Sequence, residues 1–236
     1  MRIGLFGKLQ SKRDFIAVST PRSFLSVWEP WIQSAVATSR LQLDADWQNN
    51  FLTAPIWRFW LGRALCGTSV IGAVMSSMDG VGRYFPLTVL GYADEGEDIP
   101  PPEINSQDGW FGVVEEFLLW TLESNNAFES VSAALGDLPS PECEIGGRSD
   151  RVEIVSGSAA VVKLDGETFD ETFAIVRNAD HARFYEAATF WWSAGGVGYD
   201  PRAFSCARMP DAVVYTSMLT GRFGADATAQ PASGSG

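Results

Sequence analysis

Apolar side chains in the first part of the chain follow two different spacings, which predict strands and a helix. A short apolar run at residues 3–9 predicts a first strand. From Phe24 onwards apolar residues recur at helical spacing, which predicts a helix that begins near Pro21 and that Pro30 should kink or split. Residues 56–61 place apolar side chains on one side and an arginine on the other, as a half-buried strand does.

Two further apolar runs form the centre of the predicted sheet. Val70–Met75 and residues 85–90 flank a glycine-rich turn, so they are expected to pair as antiparallel strands. Gly80 and Gly82 permit the positive φ angles that a tight connection needs. Pro86 removes one ladder donor at the start of the second run. The pattern therefore predicts a meander of strands with a hairpin-like corner.

The second half of the chain shows shorter elements. A helix is predicted over residues 110–123. Its apolar arc is so broad that most of the helix circumference should be buried. A proline-rich segment near residues 136–141 then marks a boundary. Beyond it, strands are predicted at Val152–Val155, 159–164, Thr189–Ser193 and 204–208, and helices at 180–188 and 210–219.

These elements are compatible with an α/β protein of the α+β type, in which an antiparallel sheet is flanked by helices. The predicted units are an N-terminal domain of residues 1–135, a smaller C-terminal α/β region of residues 136–222 packed on it, and a flexible tail of residues 223–236. The tail is assigned because its residues are small and polar.

Composition narrows the class of protein. Hydrophobic residues make up 46% of the chain and charged residues 19%, which is typical of a folded protein. The 9 Trp and 15 Phe predict a bulky core, and any surplus rings at the surface would suggest a docking face. The net charge of −12 argues against nucleic-acid partners and anionic membranes. Without a signal peptide or a membrane-spanning run, the protein is expected to be soluble and cytoplasmic.

Residues that could carry catalysis or hold a cofactor are sparse. The three cysteines lie far apart with no C-x-x-C pair, which predicts reduced thiols and argues against a zinc ribbon. His181 is the single histidine and lies in a charged helical segment, so we expect it to face solvent rather than to serve a triad or a metal. The acidic loop at residues 94–98 favours a solvated linker over a cation site. The sequence predicts no catalytic site, metal or cofactor.

Two groups of side chains are candidates for binding a partner. Arginine and tyrosine are favoured at interface hot spots, and Trp191 and Trp192 on a strand would point to opposite faces. An alternative is that the corner residues are structural, with Arg83 paired to Asp79 and Phe85 beginning a core strand. The candidate partner-binding residues are Arg83, Tyr84, Phe85, Trp191 and Trp192.

A series of motifs in order along the chain resembles the TagF/ImpM family of type VI secretion-associated proteins. The string from Asp79 to Leu87 is the most specific of them, and the resemblance covers nearly the whole chain. Where family members commonly carry proline and arginine-glycine, this chain has Gln10 and Lys12-Arg13. The motifs are Phe6-Gly7-Lys8-Leu9, Asp14-Phe15, Pro21-Arg22-Ser23-Phe24, Trp28-Glu29-Pro30-Trp31, residues 52–59, Asp79-Gly80-Val81-Gly82-Arg83-Tyr84-Phe85-Pro86-Leu87 and Trp191-Trp192-Ser193-Ala194-Gly195.

The resemblance implies a fold and a function. It implies that the N-terminal part is similar to longin domains, with helices on the faces of an antiparallel sheet. It also implies a non-enzymatic cytoplasmic protein, a post-translational repressor of type VI secretion that acts through the forkhead-associated (Fha) scaffold protein of that system.

Two other hypotheses about the function stay open. One is a small-ligand-binding protein or a hydrolase that uses Ser77, Asp79 and Arg83 in a pocket near the corner; a deep pocket with two carboxylates, or a perturbed His181, would favour it. A shallow aromatic face would favour a binding module instead. The other reading is a structural accessory of the secretion machine, which would co-purify with sheath or baseplate components.

Overall fold

A seven-stranded antiparallel sheet is the centre of the protein. The computed structural model describes residues 2–123, 126–143, 152–155, 159–163 and 166–224. The strands of the sheet are β1 (Arg2–Gly7), β2 (Ile16–Val18), β3 (Trp57–Leu61), β4 (Val70–Met75), β5 (Leu87–Tyr92), β8 (Thr189–Ser193) and β9 (Arg202–Cys206). Their spatial order is β2-β1-β5-β4-β3-β8-β9. Two further strands, β6 (Val152–Val155) and β7 (Ala159–Val162), form a separate antiparallel pair.

The predicted meander is confirmed, with one shift in its boundaries. Neighbouring strands β3, β4 and β5 pair in sequence, and Val74 lies opposite Thr88. The last of them begins at Leu87, not at residue 85, because Pro86 has no backbone N–H to give the ladder. Instead, the backbone N–H of Phe85 donates to the carbonyl of Ser77 at 3.0 Å.

Helices cover both faces of the sheet and make two cores. On one face α1 and α8 pack against each other and on the strands, and on the other face α4 and α5 pack on the strands. The helices are α1 (Arg22–Leu43), α2 (Trp47–Thr53), α3 (Arg63–Cys66), α4 (Asp108–Trp120), α5 (Phe128–Gly136), α6 (Phe169–Ala179), α7 (His181–Phe184) and α8 (Ala212–Thr220).

Aromatic rings fill the core under α1, as the composition predicts. The ring centroid of Trp28 lies 4.4 Å from that of Phe59, and Trp31 lies 4.9 Å from Trp191.

The prediction that β3 has one exposed face is wrong. Trp60 is buried on the opposite face from Phe59, because α4 and the loop before it cover that side.

Two other predicted features differ from the structure. Helix α1 runs without a break through Pro30, so the expected split at that residue is wrong. The buried side chains of Phe24, Trp28 and Ile32 hold the helix on the sheet, and tertiary packing of this kind overrides the local preference of proline. Helix α4 leaves Leu119 exposed, so its apolar arc is less completely covered than expected.

The sheet continues across the predicted boundary near residue 136. Strand β8 pairs with β3, and Trp31 Nε1 donates to the carbonyl of Pro210 at 2.8 Å beside α8. The division into two domains stays a prediction, but the core under α1 contains residues from both of its sides. Phe223, which falls in the predicted tail, packs on Trp57 and Phe204; residues 225–236 lie outside the described residues.

Within the part of the chain that the structure describes, no helix is long and apolar enough to cross a membrane.

Candidate functional site

The hairpin-like corner between β4 and β5 is tightly closed and braced by the loop that follows β1. Its turn is closed by hydrogen bonds from the N–H of Asp79 to the carbonyl of Arg83 (3.1 Å) and from Gly82 back to Asp79 (3.0 Å), and Gly82 has a φ of +82°. The N–H of Gly80 donates to the carbonyl of Lys12 at 2.9 Å. A Cβ on Gly80 would lie 2.7 Å from the carbonyl oxygen of Gln10, so only glycine allows this approach.

A buried carboxylate holds the corner together. Asp79 has no exposed side-chain surface and accepts hydrogen bonds from Lys8 Nζ at 2.7 Å and Arg83 Nε at 2.6 Å. The backbone N–H groups of Arg83 (2.8 Å) and Val81 (3.1 Å) also donate to it. Burial alone would raise the pKa of Asp79, but the hydrogen bonds from Lys8 and Arg83 outweigh it and hold that pKa well below its usual range. The carboxylate is therefore ionised and fully used in structure.

Each of the three candidate residues at the corner has a structural contact. Arg83 is paired with Asp79, donates to the carbonyl of Arg13 and keeps 58% of its side chain exposed. Phe85 is buried, with its ring 4.7 Å from that of Phe15. Tyr84 is half-buried. The alternative prediction is confirmed for the pair of Arg83 with Asp79. Phe85 lies in the core, but it does not begin a strand, because β5 begins at Leu87.

A broad groove opens beside the corner, between it and α1. We call it the hairpin-corner groove, and its volume is about 610 Å³. Its floor and walls combine aromatic rings with cations, and Phe15 keeps 48% of its surface exposed there. The groove is defined by the side chains of Phe15, Gln33, Ala37, Arg40, Arg83 and Tyr84.

Contacts from α1 and α2 fix the far wall of the groove. The guanidinium of Arg40 lies 4.2 Å from the ring centroid of Trp47 and donates to the carbonyl of Tyr84 at 3.4 Å. The hydroxyl of Tyr84 accepts a hydrogen bond from Gln48 Nε2 at 2.7 Å. Its ring lies edge-on to that of Phe51. The wall is therefore held in place before any partner arrives.

The two tryptophans of β8 do not join this surface. Trp191 has no exposed surface and lies in the core under α1. Trp192 points to the other face, as the strand period predicts, and is half-buried with its ring 5.0 Å from that of Phe111. In this conformation Trp191 has no surface with which to contact a partner.

The arrangement at the corner does not resemble a hydrolytic pocket. Ser77 is buried and its hydroxyl donates to the carbonyl of Lys8 at 2.8 Å, while Asp79 has no surface in the groove. None of the side chains that line the groove is acidic. Among the described residues no group of three or more His, Cys, Asp and Glu side chains is arranged to hold a metal. The groove presents rings and cations, which suits binding.

The cysteines are free thiols, as the sequence predicts. Burial raises the pKa of the Cys66 thiol to about 12. The pKa of the Cys143 thiol is raised to about 11, mainly by burial and to a smaller extent by the negative charge of Glu97. Neither thiol is disposed to ionise near neutral pH.

The prediction that His181 faces solvent is wrong. Its imidazole is buried, with Nδ1 3.1 Å from the carbonyl of Asn178 and Nε2 3.6 Å from Asp98 Oδ2. Asp180 and Arg183 pair with each other at 2.6 Å. Because helical spacing puts these two on one side, their charges indicate nothing about the side that His181 occupies.

Lys8, Phe15 and Arg40 are among the residues of the site that the sequence did not predict. Lys8 and Phe15 lie inside motifs that resemble the family, and the structure shows that these motifs meet the string at 79–87 in space. Arg40 carries no such signal. It reaches the groove only because α1 crosses beside the corner.

The fold and the groove together define a class: an α+β protein with a preformed aromatic and cationic surface. Comparison with known proteins gives the family. The model of the TagF N-terminal domain, described as type VI secretion system-associated, matches residues 4–138. The chain therefore belongs to the TagF family, and the predicted resemblance is confirmed.

Solved structures agree with this assignment. The chain is similar to the crystal structure of PA0076 from Pseudomonas aeruginosa PAO1, with 31% sequence identity and a TM-score of 0.77. The match covers 94% of this chain and 96% of that one. No curated protein matches the chain significantly.

Proposed function

We propose that this protein is a non-enzymatic cytoplasmic regulator, a post-translational repressor of type VI secretion, that binds the Fha scaffold protein through the hairpin-corner groove. The observation that carries the proposal is the convergence of three separated family motifs at one surface. Residues 6–9, 14–15 and 79–87 contact one another there.

Differences from the common family motif do not disturb this surface. The groove-bearing corner contacts Lys12 and Arg13 through their backbone carbonyls, which accept from Gly80 and Arg83. A backbone carbonyl is present whatever the side chain, so Lys12-Arg13 can replace arginine-glycine without loss of these bonds. The loop shape is thus compatible with a role shared by the family.

Preorganisation favours a binding function for the groove. The buried network of Asp79, Lys8 and Arg83 fixes the corner, and Tyr84 is braced by Gln48. Ordering side chains at an interface costs about 0.5–1.5 kcal/mol for each one immobilised, and a wall that is already ordered avoids much of that cost. Aromatic and arginine side chains are also the residue types enriched at hot spots.

The sharpest test blocks the groove without touching the buried network. Arg83→Ala would also remove one of the two cations paired with Asp79, so a loss of binding could not be separated from a loss of stability. Ala37 is exposed on α1 inside the groove, and Ala37→Trp would fill it. Ala207 is exposed outside the groove, so Ala207→Trp is the matched control.

We expect purified wild type and Ala207→Trp to bind the recombinant scaffold in calorimetry, and Ala37→Trp to bind at least about tenfold more weakly. In type VI-competent cells, Ala37→Trp should release secretion that wild type represses. Equal thermal midpoints would show that all three proteins fold alike. Full binding by Ala37→Trp would place the contact elsewhere. Absence of scaffold binding by wild type, with recovery of sheath or baseplate components instead, would support a structural accessory.

A further inference from the structure

We infer that the hairpin-corner groove takes an acidic segment of its protein partner, in which aspartate or glutamate side chains stand next to an apolar residue. This inference rests on the proposed function, because it assumes that the groove is the contact surface. It adds the chemistry that the partner must present.

The charge of the groove is opposite to that of the whole chain. Lys8, Arg40 and Arg83 line it, and no acidic side chain does. Asp79 lies behind the surface and neutralises one of these three cations. The groove is therefore a positive area on a chain of net charge −12. Complementary charge steers association and suppresses wrong partners, so this area favours an anionic segment.

Arg40 is the cation best placed to meet a carboxylate. It is exposed, and within the described residues it forms no ion pair; its hydrogen bond goes to the neutral carbonyl of Tyr84. The ring of Trp47 supports the guanidinium from one side and limits its freedom. A planar guanidinium held in this way can bind a carboxylate through two parallel hydrogen bonds.

Arg83 offers a second, partly used donor set. Its Nε donates to the carboxylate of Asp79, and its Nη2 donates to the carbonyl of Arg13. Its Nη1 has no partner in the described part of the chain. More than half of the side chain is exposed. Its position is fixed by the buried carboxylate, so it can donate to a ligand without being reordered.

Exposed aromatic surface in the groove indicates a peptide rather than a small anion. Phe15 is stacked on Phe6 and packs edge-on to Phe85, yet about half of it faces solvent. The nearby α1 wall contributes Val36 and Ala37. A free phosphate would leave these apolar atoms uncovered, whereas a segment with an apolar residue beside its carboxylates would cover them.

The test uses the intact protein and short overlapping peptides that span the scaffold, each with a fluorescent label. In polarisation measurements we expect the binding peptides to contain aspartate or glutamate beside an apolar residue. Arg40→Glu should weaken their binding at least about tenfold, because a cation becomes a like charge. Arg208→Glu, an exposed arginine outside the groove, is the matched control and should bind as wild type does. Added salt should weaken wild type more than Arg40→Glu.

Several outcomes would overturn the inference. Binding restricted to basic or neutral peptides would do so. Binding restricted to phosphorylated versions of the scaffold peptides would also do so. A third such outcome is that Arg40→Glu and wild type bind the peptides with equal affinity. If full-length scaffold binds wild type and Ala37→Trp blocks it, while Arg40→Glu has no effect, the proposed function stands and the acidic-segment inference falls. If wild type binds neither scaffold nor any peptide, both fall.

Discussion

Two aspartates of this protein, one buried and one half-buried, have very different numbers of hydrogen-bond partners. Asp79, at the hairpin corner, accepts from two cations and two backbone N–H groups. Asp98, beside α7, lies 3.6 Å from the imidazole of His181. Within the described residues neither Asp98 Oδ2 nor His181 Nε2 has a hydrogen-bond partner. The carboxylate of Asp79 thus stabilises the hairpin corner, whereas the carboxylate of Asp98 lacks a well-matched partner.

The geometry of His181 explains the poor match. Its Nδ1 faces the carbonyl of Asn178, which can only accept, so Nδ1 carries the proton. In the neutral ring, Nε2 is then an acceptor, and it faces a second acceptor on Asp98. The comparison indicates that the corner is well satisfied, and that replacing Asp98 could stabilise the contact between α7 and the loop at residues 94–99.

Loss of the carboxylate at the corner should give the largest effect. In Asp79→Asn the buried ammonium of Lys8 loses its counter-charge, and we expect the free energy of unfolding to fall by about 3–5 kcal/mol. Denaturant titration measures this change. Asp137→Asn, at an exposed aspartate, should change it by less than about 0.5 kcal/mol. A loss at Asp79 no larger than at Asp137 would contradict the account.

A methyl group between the corner and the loop after β1 should give the next largest effect. In Gly80→Ala the new Cβ meets the carbonyl of Gln10, and we expect a loss of about 1–3 kcal/mol from the strain. Gly112→Ala is the matched control, because its Cβ meets nothing within 4 Å on α4. It should stabilise by about 0.5–1 kcal/mol through helix propensity. Thermal unfolding compares the two; equal effects would mean that the corner and loop are not tightly joined.

Acid should weaken the corner with a defined sign. The folded pKa of Asp79 is held below its unfolded value, so the unfolded chain binds the proton more readily. The contribution of Asp79 is complete above about pH 5, and it declines as pH falls through the unfolded value of about 3.9 towards the folded one. Unfolding free energies of wild type and Asp79→Asn should therefore converge below about pH 4. Parallel curves across this range would refute the assignment.

The smallest effect is expected at Asp98 and His181. There the substitution should raise the free energy of unfolding, whereas the substitutions at the corner lower it. In Asp98→Asn an amide N–H can donate to His181 Nε2, so a facing pair of acceptors becomes a hydrogen bond. We expect a gain of about 0.5–1.5 kcal/mol in the free energy of unfolding, measured at pH 8.5. Asp137→Asn again serves as the control. A loss at Asp98 comparable to that of Asp79→Asn would erase the contrast between the two sites.

Local patterns predicted much of the fold. Strands β4 and β8 match their predicted bounds, because apolar runs of this length between turn signals are typical of buried strands. Helix α6 was missed although Thr168 and Glu171 form a capping box at its start, a spacing visible in the sequence. The joining of β8 to β3 could not be predicted, since pairing of distant strands leaves no local pattern.

The candidate site was predicted only in part, for a similar reason. Arg83, Tyr84 and Phe85 were identified because they follow a turn with a recognisable motif. Arg40 enters the groove through the crossing of α1 beside the corner, which no spacing in the sequence encodes. Trp191 was chosen for its residue type, but the α1 core covers it completely.

Site-specific photo-crosslinking would show whether the Fha scaffold contacts the hairpin-corner groove. A benzophenone side chain in place of Gln33, exposed in the groove, would be compared with the same side chain in place of Ser205, exposed on β9. In type VI-competent cells we expect a crosslink to the Fha scaffold from position 33 and none from position 205. A scaffold crosslink from position 205 alone, or equal crosslinks from both, would contradict it.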